Sequence, residues 1–248
     1  MRKRDSWQPS KYVFRRDRYV PRLAPDGVGG ASYLIASRVA TCYQERSLPY
    51  FRGDLLDLGC GHAPFFNLYA SLVDSAIGVD WGASLHDLKH ADVMANLGKG
   101  IPFCDGSFGT VLASDVLEHL PDTSLALREC HRVLEAGGHL ILNVPFLYSI
   151  HEAPHDYWRF SSDGLLLLAA RHGFEVVELQ AVGGALDVTF DIFGKLLAHV
   201  PWLGQPIASL IQRMVILISS GLLKPIFSRG AAILPLGYFC VMRRSLAA

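Results

Sequence analysis

Two short stretches of this chain concentrate residues able to do chemistry. The first is LLDLGCGHAPFF, Leu55 to Phe66, in which a strand-like run feeds Gly59, Cys60 and Gly61. Glycines there let a ligand come close to the backbone, and a helix N-terminus beyond them offers unpaired N–H groups. In the next strand-like run, AIGVDW, Asp80 follows roughly twenty residues on, the place from which a carboxylate accepts hydrogen bonds from ribose hydroxyls. A dinucleotide fingerprint would continue to a third glycine, but Gly61 is followed by His62, Ala63, Pro64, Phe65 and Phe66. Asp57, a carboxylate at the strand end, suits a positively charged amino acid moiety rather than phosphates. The second stretch, HEAPHDYWRFS, gathers His151, Glu152, His155, Asp156, Tyr157 and Arg159 among aromatic residues. Those are the side chains that move protons and hold polar substrates.

The elements that must position these groups alternate in type. LLDLG, AIGVDW, TVLASDVLEHL and GGHLILNVPF read as strand-type runs, separated by helical stretches from Pro64 to about Val73 and from about Thr123 to Leu134, the latter stopped near Glu135 by Gly137 and Gly138. A helix beginning near Ser161 ends at Gly173, FEVVELQAV is a further strand, and GYFCVMRR, Gly237 to Arg244, is the last. Strands alternating with helices predict an α/β, doubly wound, mostly parallel sheet covered on both faces. Both candidate stretches then lie at the carboxyl ends of strands, where such sheets bind ligands.

At 248 residues and 50% hydrophobic, the chain can bury one full core. Its formal charge is zero, but eight Lys or Arg up to Arg22 stand against Asp5 and Asp17, so the first segment is basic and the remainder acidic. Trp7, Tyr12, Phe14 and Tyr19 interleave with those charges, which predicts that part of the arm packs on the domain. Five cysteines, widely spaced and without a C-x-x-C pair, argue against a disulfide framework or a zinc site. The charged N-terminus is followed by no apolar signal region, so the expected location is cytoplasmic.

Four segments, LLDLGCGHAPF, GVDW, IPFCDGSFGTVLASDVLEHLPD and LRECHRVLEAGGHLILNVPF, occur in order. Together they resemble the successive motifs of class I S-adenosylmethionine-dependent methyltransferases, in particular the type 11 group that includes ubiquinone and menaquinone methyltransferases. The resemblance covers about Asp54 to Leu179. It implies a Rossmann-like fold with a final antiparallel strand and S-adenosylmethionine as cofactor. It also implies that Gly59, Cys60 and Gly61 pass under the methionine part with Asp57 near its amino group, that Asp80 holds the ribose with Trp81 beside the adenine, that Asp92 and Val93 meet the adenine, and that Ser114 and His119 line the cofactor near its sulfonium. Ala63 stands where the family often has a last glycine, and Phe108-Gly109 where it usually has Phe-Asp. PHDYWRF resembles segments of bacterial methyltransferases of this broad group, many connected with the cell envelope or secondary metabolism.

Methyl transfer from a sulfonium is an in-line displacement helped by alignment and by removal of a proton from the acceptor. His155 is the first candidate base and His151 the second, with Asp156 or Glu152 as orienter and Tyr157 and Arg159 as substrate contacts. The same loop has a purely structural reading, in which Asp156 pairs with Arg159 and the aromatic residues enter the core. A metal set of His151, His155 and Asp156 is set aside because Pro154 prevents helical presentation, and no metal is expected.

Between the last two strands lie about fifty residues of hydrophobic sequence, long for such a connection. Neither IASLIQRMVILISSGLL nor AAILPLGYFCVM reaches about 18 uninterrupted apolar residues, so no transmembrane helix is expected. The expected organisation is a basic arm and helix (1–50), a methyltransferase domain (51–186 and 236–248) and an inserted hydrophobic helical cap (187–235). The cap is a lid, a dimer interface or a peripheral membrane surface. The expected activity is methylation, with oxygen preferred, of a small or lipid-linked acceptor such as a secondary metabolite or a cell-envelope or quinone-like precursor. A nucleic-acid acceptor reached by the basic arm, which is disfavoured because SDVLEH replaces an amino-methylation motif, and a non-catalytic binding protein are the alternatives.

Overall fold

The computed structural model describes residues 7–24, 27–82, 88–220, 230–231 and 233–245. Its centre is a seven-stranded sheet built from β3 (Asp54–Leu58), β4 (Ser75–Asp80), β5 (Val93–Met94), β6 (Phe108–Ser114), β7 (Leu134–Pro145), β8 (Phe174–Val182) and β9 (Gly237–Arg244). The order across the sheet is β5-β4-β3-β6-β7-β9-β8. All pairings from β5 to β7 are parallel, while β9 slots antiparallel between β7 and β8. This is the Rossmann-like methyltransferase architecture with its final antiparallel strand.

The strands read as nearly continuous apolar runs because both faces are covered. Leu56, Leu58, Val111, Ala113, Leu140 and Leu142 point to one side, joining residues of α3 (Thr123–Val133) and α4 (Ser162–Arg171). Their alternating neighbours Leu55, Leu112 and Ile141 point to the other, where Tyr43, Phe65 and Tyr69 are fully buried. Asp122 caps α3 by accepting from Leu125 N–H, and Ser161 caps α4 by accepting from Gly164 N–H.

Three local expectations change. The helix expected over Pro64–Val73 is a single turn, α2 (Phe66–Tyr69), because its aromatic residues turn inward: Phe65 meets Tyr43 and Tyr12, Phe66 meets Trp7, and Tyr69 meets Phe51. The α3 helix ends at Val133 and the chain enters β7 directly, with Gly137 at φ +74° inside that strand. The basic arm contains a β-hairpin, β1 (Tyr12–Arg15) and β2 (Arg18–Pro21), turned at Arg16 and Asp17, both at positive φ. Arg2, Lys3 and Arg4 lie outside the described residues.

The hydrophobic connection forms α5 (Ala185–Leu197) and α6 (Gly204–Ser220), which pack on α1 (Tyr33–Cys42) and the turn before it. Gln212, fully buried on α6, accepts from Leu34 N–H (2.8 Å) and donates to the Ala31 carbonyl (2.8 Å). Arg38 of α1 reaches Asp187 of α5 at 2.9 Å. Residues 221–229 and 232 of the expected cap lie outside the described residues.

Candidate active site

The carboxyl ends of β3, β4, β6 and β7 open into one cavity of about 920 Å³. That is near the upper end of the range for small-molecule sites, with room for a cofactor and a second ligand.

On one side runs the glycine loop. Gly59 sits at φ +59°, and a Cβ there would lie 2.7 Å from Val116 Cγ2; Gly61 sits at φ +48°. Only glycine fits both demands at position 59. Ala63 adopts φ +46°, the left-handed region its missing glycine would favour, and its carbonyl accepts from the Trp7 indole N–H at 3.0 Å. The N-terminal segment thus clamps the loop from outside.

Asp80 is buried and its two oxygens accept from Gly61 N–H and Trp81 N–H, each at 2.7 Å. The carboxylate therefore fixes the loop, and it lines the cavity with Gly59, Cys60, Gly61, Trp81, Ser114 and His119. Asp57 lies beneath the loop rather than on the cavity wall, accepting from the Tyr69 hydroxyl at 3.0 Å. Burial pushes its carboxyl up to about 7, with the Tyr69 hydroxyl opposing and the Asp80 charge adding to the rise. Asp92 accepts from Gly78 N–H at 2.9 Å, and neither it nor Val93 lines the cavity.

Across the cavity lies the loop following β7. Its backbone is tied down: Tyr157 N–H donates to the Glu118 carbonyl (2.9 Å), Trp158 indole N–H to the Leu120 carbonyl (2.9 Å), and Phe160 N–H to the Pro145 carbonyl (3.0 Å). Asp156 and Arg159 form a two-pronged ion pair at 2.6 and 2.7 Å, and Arg159 also donates to the Tyr148 and Ser149 carbonyls. The guanidinium holds Asp156 well below the usual carboxylate range. Both side chains stand off the cavity wall, so they shape the loop, whereas His151, Glu152, His155 and Tyr157 line the cavity. His155 Nδ1 is 3.0 Å from the Tyr157 hydroxyl, and its ring meets Trp81 edge-on at 5.3 Å.

Several site residues carry no sequence motif of their own. Lys11, from the arm, reaches Asp115 at 3.5 Å, and Asp115, at φ +54°, accepts from the Asn143 amide. Asn143 Oδ1 in turn accepts from the Ser114 and Tyr43 hydroxyls, each at 2.8 Å. Glu118, fully buried, faces His119 and His151. The signal in the sequence for two of them is SDVLEH, which carries carboxylates at 115 and 118 beside Ser114 and His119.

Residues 56–142 match a family model described as a methyltransferase domain. Fold, glycine loop and match together define a class I S-adenosylmethionine-dependent methyltransferase, whose cofactor is S-adenosylmethionine. The chain is similar to a probable S-adenosylmethionine-dependent methyltransferase of Mycolicibacterium smegmatis, at 26% identity over 79% of this chain and 86% of that protein. It is also similar to a ubiquinone biosynthesis O-methyltransferase of Pseudomonas aeruginosa, at 30% identity over 42% of this chain; there it spans 47%, about half, of the relative's length. Among solved structures, a SAM-dependent methyltransferase from Archaeoglobus fulgidus shares the fold with TM-score 0.54 and 18% identity, covering 86% of this chain and 96% of that one. The [4+2]-cyclase SpnF does so with TM-score 0.55 and 18% identity, over 86% and 82%. A cyclase on this fold underlines that the acceptor side must be read from its own residues.

Proposed function

We propose that this methyltransferase acts on an oxygen atom of a small or lipid-linked acceptor, of the quinone-like or cell-envelope precursor type. On this reading Gly59, Cys60, Gly61 and Asp80 hold the methionine and ribose parts, Trp81 flanks the adenine, Ser114 and His119 approach the sulfonium, and Asp57 and Asp92, which stand off the cavity wall, support the glycine loop and β4 from behind. His155 is the base. With Nδ1–H donating to Tyr157, its Nε2 carries the lone pair that takes the acceptor's proton as the methyl group is displaced in line. Tyr157 orients His155 and contacts the acceptor.

The observation that carries the oxygen reading is this pairing of His155 and Tyr157 on the wall facing the glycine loop. The resemblance to ubiquinone biosynthesis O-methyltransferases supports it.

The lipid-linked part rests on α6, whose amphipathicity is inverted. Ser209, Gln212 and Ser219 face inward, while Ile207, Leu210, Met214, Leu217 and Ile218 are exposed at helical spacing. Trp202, before the helix, is 96% exposed. Such a stripe fits the acyl boundary of a bilayer, where the acceptor would reside. Among the described residues no helix is long and apolar enough to cross a membrane. A second copy of the chain could cover the same face, and sedimentation of the protein alone distinguishes that case.

The test is transfer of labelled methyl from S-adenosylmethionine to hydroxylated quinone precursors and lipid-linked sugars. Label in an ether or ester oxygen is expected, and label in nitrogen or carbon of the acceptor would overturn the reading.

A further inference from the structure

One group in the cavity wall, Glu118, takes no part in the methyl transfer proposed above. The Glu118 side chain is fully buried, and neither of its carboxyl oxygens has a hydrogen-bond partner. A carboxylate in that state is costly unless something neutralises it. Burial pushes its pKa up, with His151 opposing.

Two imidazole nitrogens face it. His151 Nε2 lies 3.8 Å and His119 Nε2 3.9 Å from Glu118 Oε1, both too long for a hydrogen bond. They are instead the spacing of donors that share an ion, since ligands about 2.1 Å from a metal stand about 3–4 Å from each other. One ligand atom from each of Glu118, His119 and His151 lies within 4.8 Å of the others.

The outer partners set both tautomers accordingly. His119 Nδ1 is 2.6 Å from the His155 carbonyl, which can only accept, so the proton is on Nδ1 and the Nε2 lone pair faces Glu118. His151 Nδ1 faces Asp156 Oδ2 and the Ser149 carbonyl, each at 3.4 Å, so its Nε2 is directed the same way. A histidine that gives its second N–H to a carbonyl or carboxylate is the usual supporting arrangement around a bound metal. Asp156 is itself locked by Arg159, so the support is rigid.

We propose that Glu118, His119 and His151 form a binding site for a divalent transition-metal cation at the acceptor end of the cavity. Glu152, whose Oε2 is 3.9 Å from His119 Nε2, is the fourth donor. Two imidazoles with carboxylate oxygen favour zinc, manganese, iron or cobalt over magnesium. All four residues line the cavity, so the remaining coordination positions open toward the acceptor. Given the acceptor reading above, the cation would hold and polarise the reacting oxygen while His155 takes its proton, and His151 serves as ligand rather than base. The site itself does not depend on that reading.

The experiment is titration of the chelator-stripped full-length protein with cobalt(II), followed by visible absorption and by zinc competition. One equivalent is expected, with the intense bands of a four- or five-coordinate site. His151→Ala should weaken binding at least tenfold, and Glu118→Gln likewise. His155→Ala, which removes no donor, should leave cobalt affinity unchanged. Folding of each variant is checked by circular dichroism, and His151, part-exposed, provides the variant that folds if Glu118→Gln does not. Absence of a cobalt spectrum in the folded wild type, or binding undiminished in His151→Ala, would overturn the site. Calorimetry with S-adenosylhomocysteine on the same samples reports the cofactor half separately.

Discussion

The two walls of the cavity are built on different principles. The cofactor wall uses the backbone: Gly59 and Gly61 at positive φ, and an Asp80 carboxylate that ties Gly61 and Trp81 N–H groups together. The acceptor wall uses side chains brought from distant parts of the chain, with Lys11, Asp115, Glu118, Tyr148 and His155 arriving on three separate segments. Backbone geometry written in contiguous residues serves one invariant ligand. Assembled side chains can be changed one at a time, which suits a wall that selects among acceptors.

Walls built on such different principles fail separately. His155→Ala should lower turnover on the true acceptor about 10²–10⁴-fold while leaving cofactor affinity nearly intact. Steady-state rates at saturating S-adenosylmethionine check it, and turnover close to wild type would remove His155 as base. Asp80→Ala should weaken cofactor binding by about 1.5–3 kcal/mol through loss of charge-assisted hydrogen bonds. Calorimetry reads this directly, and unchanged affinity would end the ribose assignment.

The added helices offer a third, independent handle. Gln212→Ala strands the Leu34 N–H and the Ala31 carbonyl, and should cost about 1–3 kcal/mol of stability, a fall of several degrees in melting temperature. Cofactor affinity of the folded variant should not change. A loss of affinity in step with stability would show that α6 braces the cofactor wall as well.

The smallest effect concerns Asp57. Its carboxyl, raised to about 7 by burial, favours folding while protonated. That contribution is complete below the ordinary carboxylate value and is lost as pH rises from about 4 to 7. Denaturation of the cofactor-free protein should show stability falling across that window, and Asp57→Asn should flatten the slope. If the ionised form meets the cofactor's amino group, S-adenosylmethionine should bind more tightly as pH rises through 7, and not in Asp57→Asn.

The same contrast governs what could be read from sequence. β8 and β9 lie where FEVVELQAV and GYFCVMRR placed them, because short apolar runs bounded by turns follow local rules. The cofactor loop was equally legible, its glycines and Asp80 being near neighbours in sequence. Lys11 was not, since only the unforeseen β1–β2 hairpin and the stacking of Tyr12 on Phe65 bring it to Asp115. Glu118 was hidden for a similar reason: its neighbours come from the loop after β7, about thirty residues on, and pairing across such a distance leaves no periodic trace. Asp156 and Arg159 illustrate the converse, a charged pair that looks chemical in sequence and is spent on shaping its own loop.

The most direct measurement is calorimetric titration of S-adenosylhomocysteine into His155→Ala and Asp80→Ala side by side with the wild type. The account predicts wild-type affinity in His155→Ala and at least tenfold weaker binding in Asp80→Ala. Equal loss in both folded variants, or loss in His155→Ala alone, would contradict the division of the cavity into a cofactor wall and an acceptor wall.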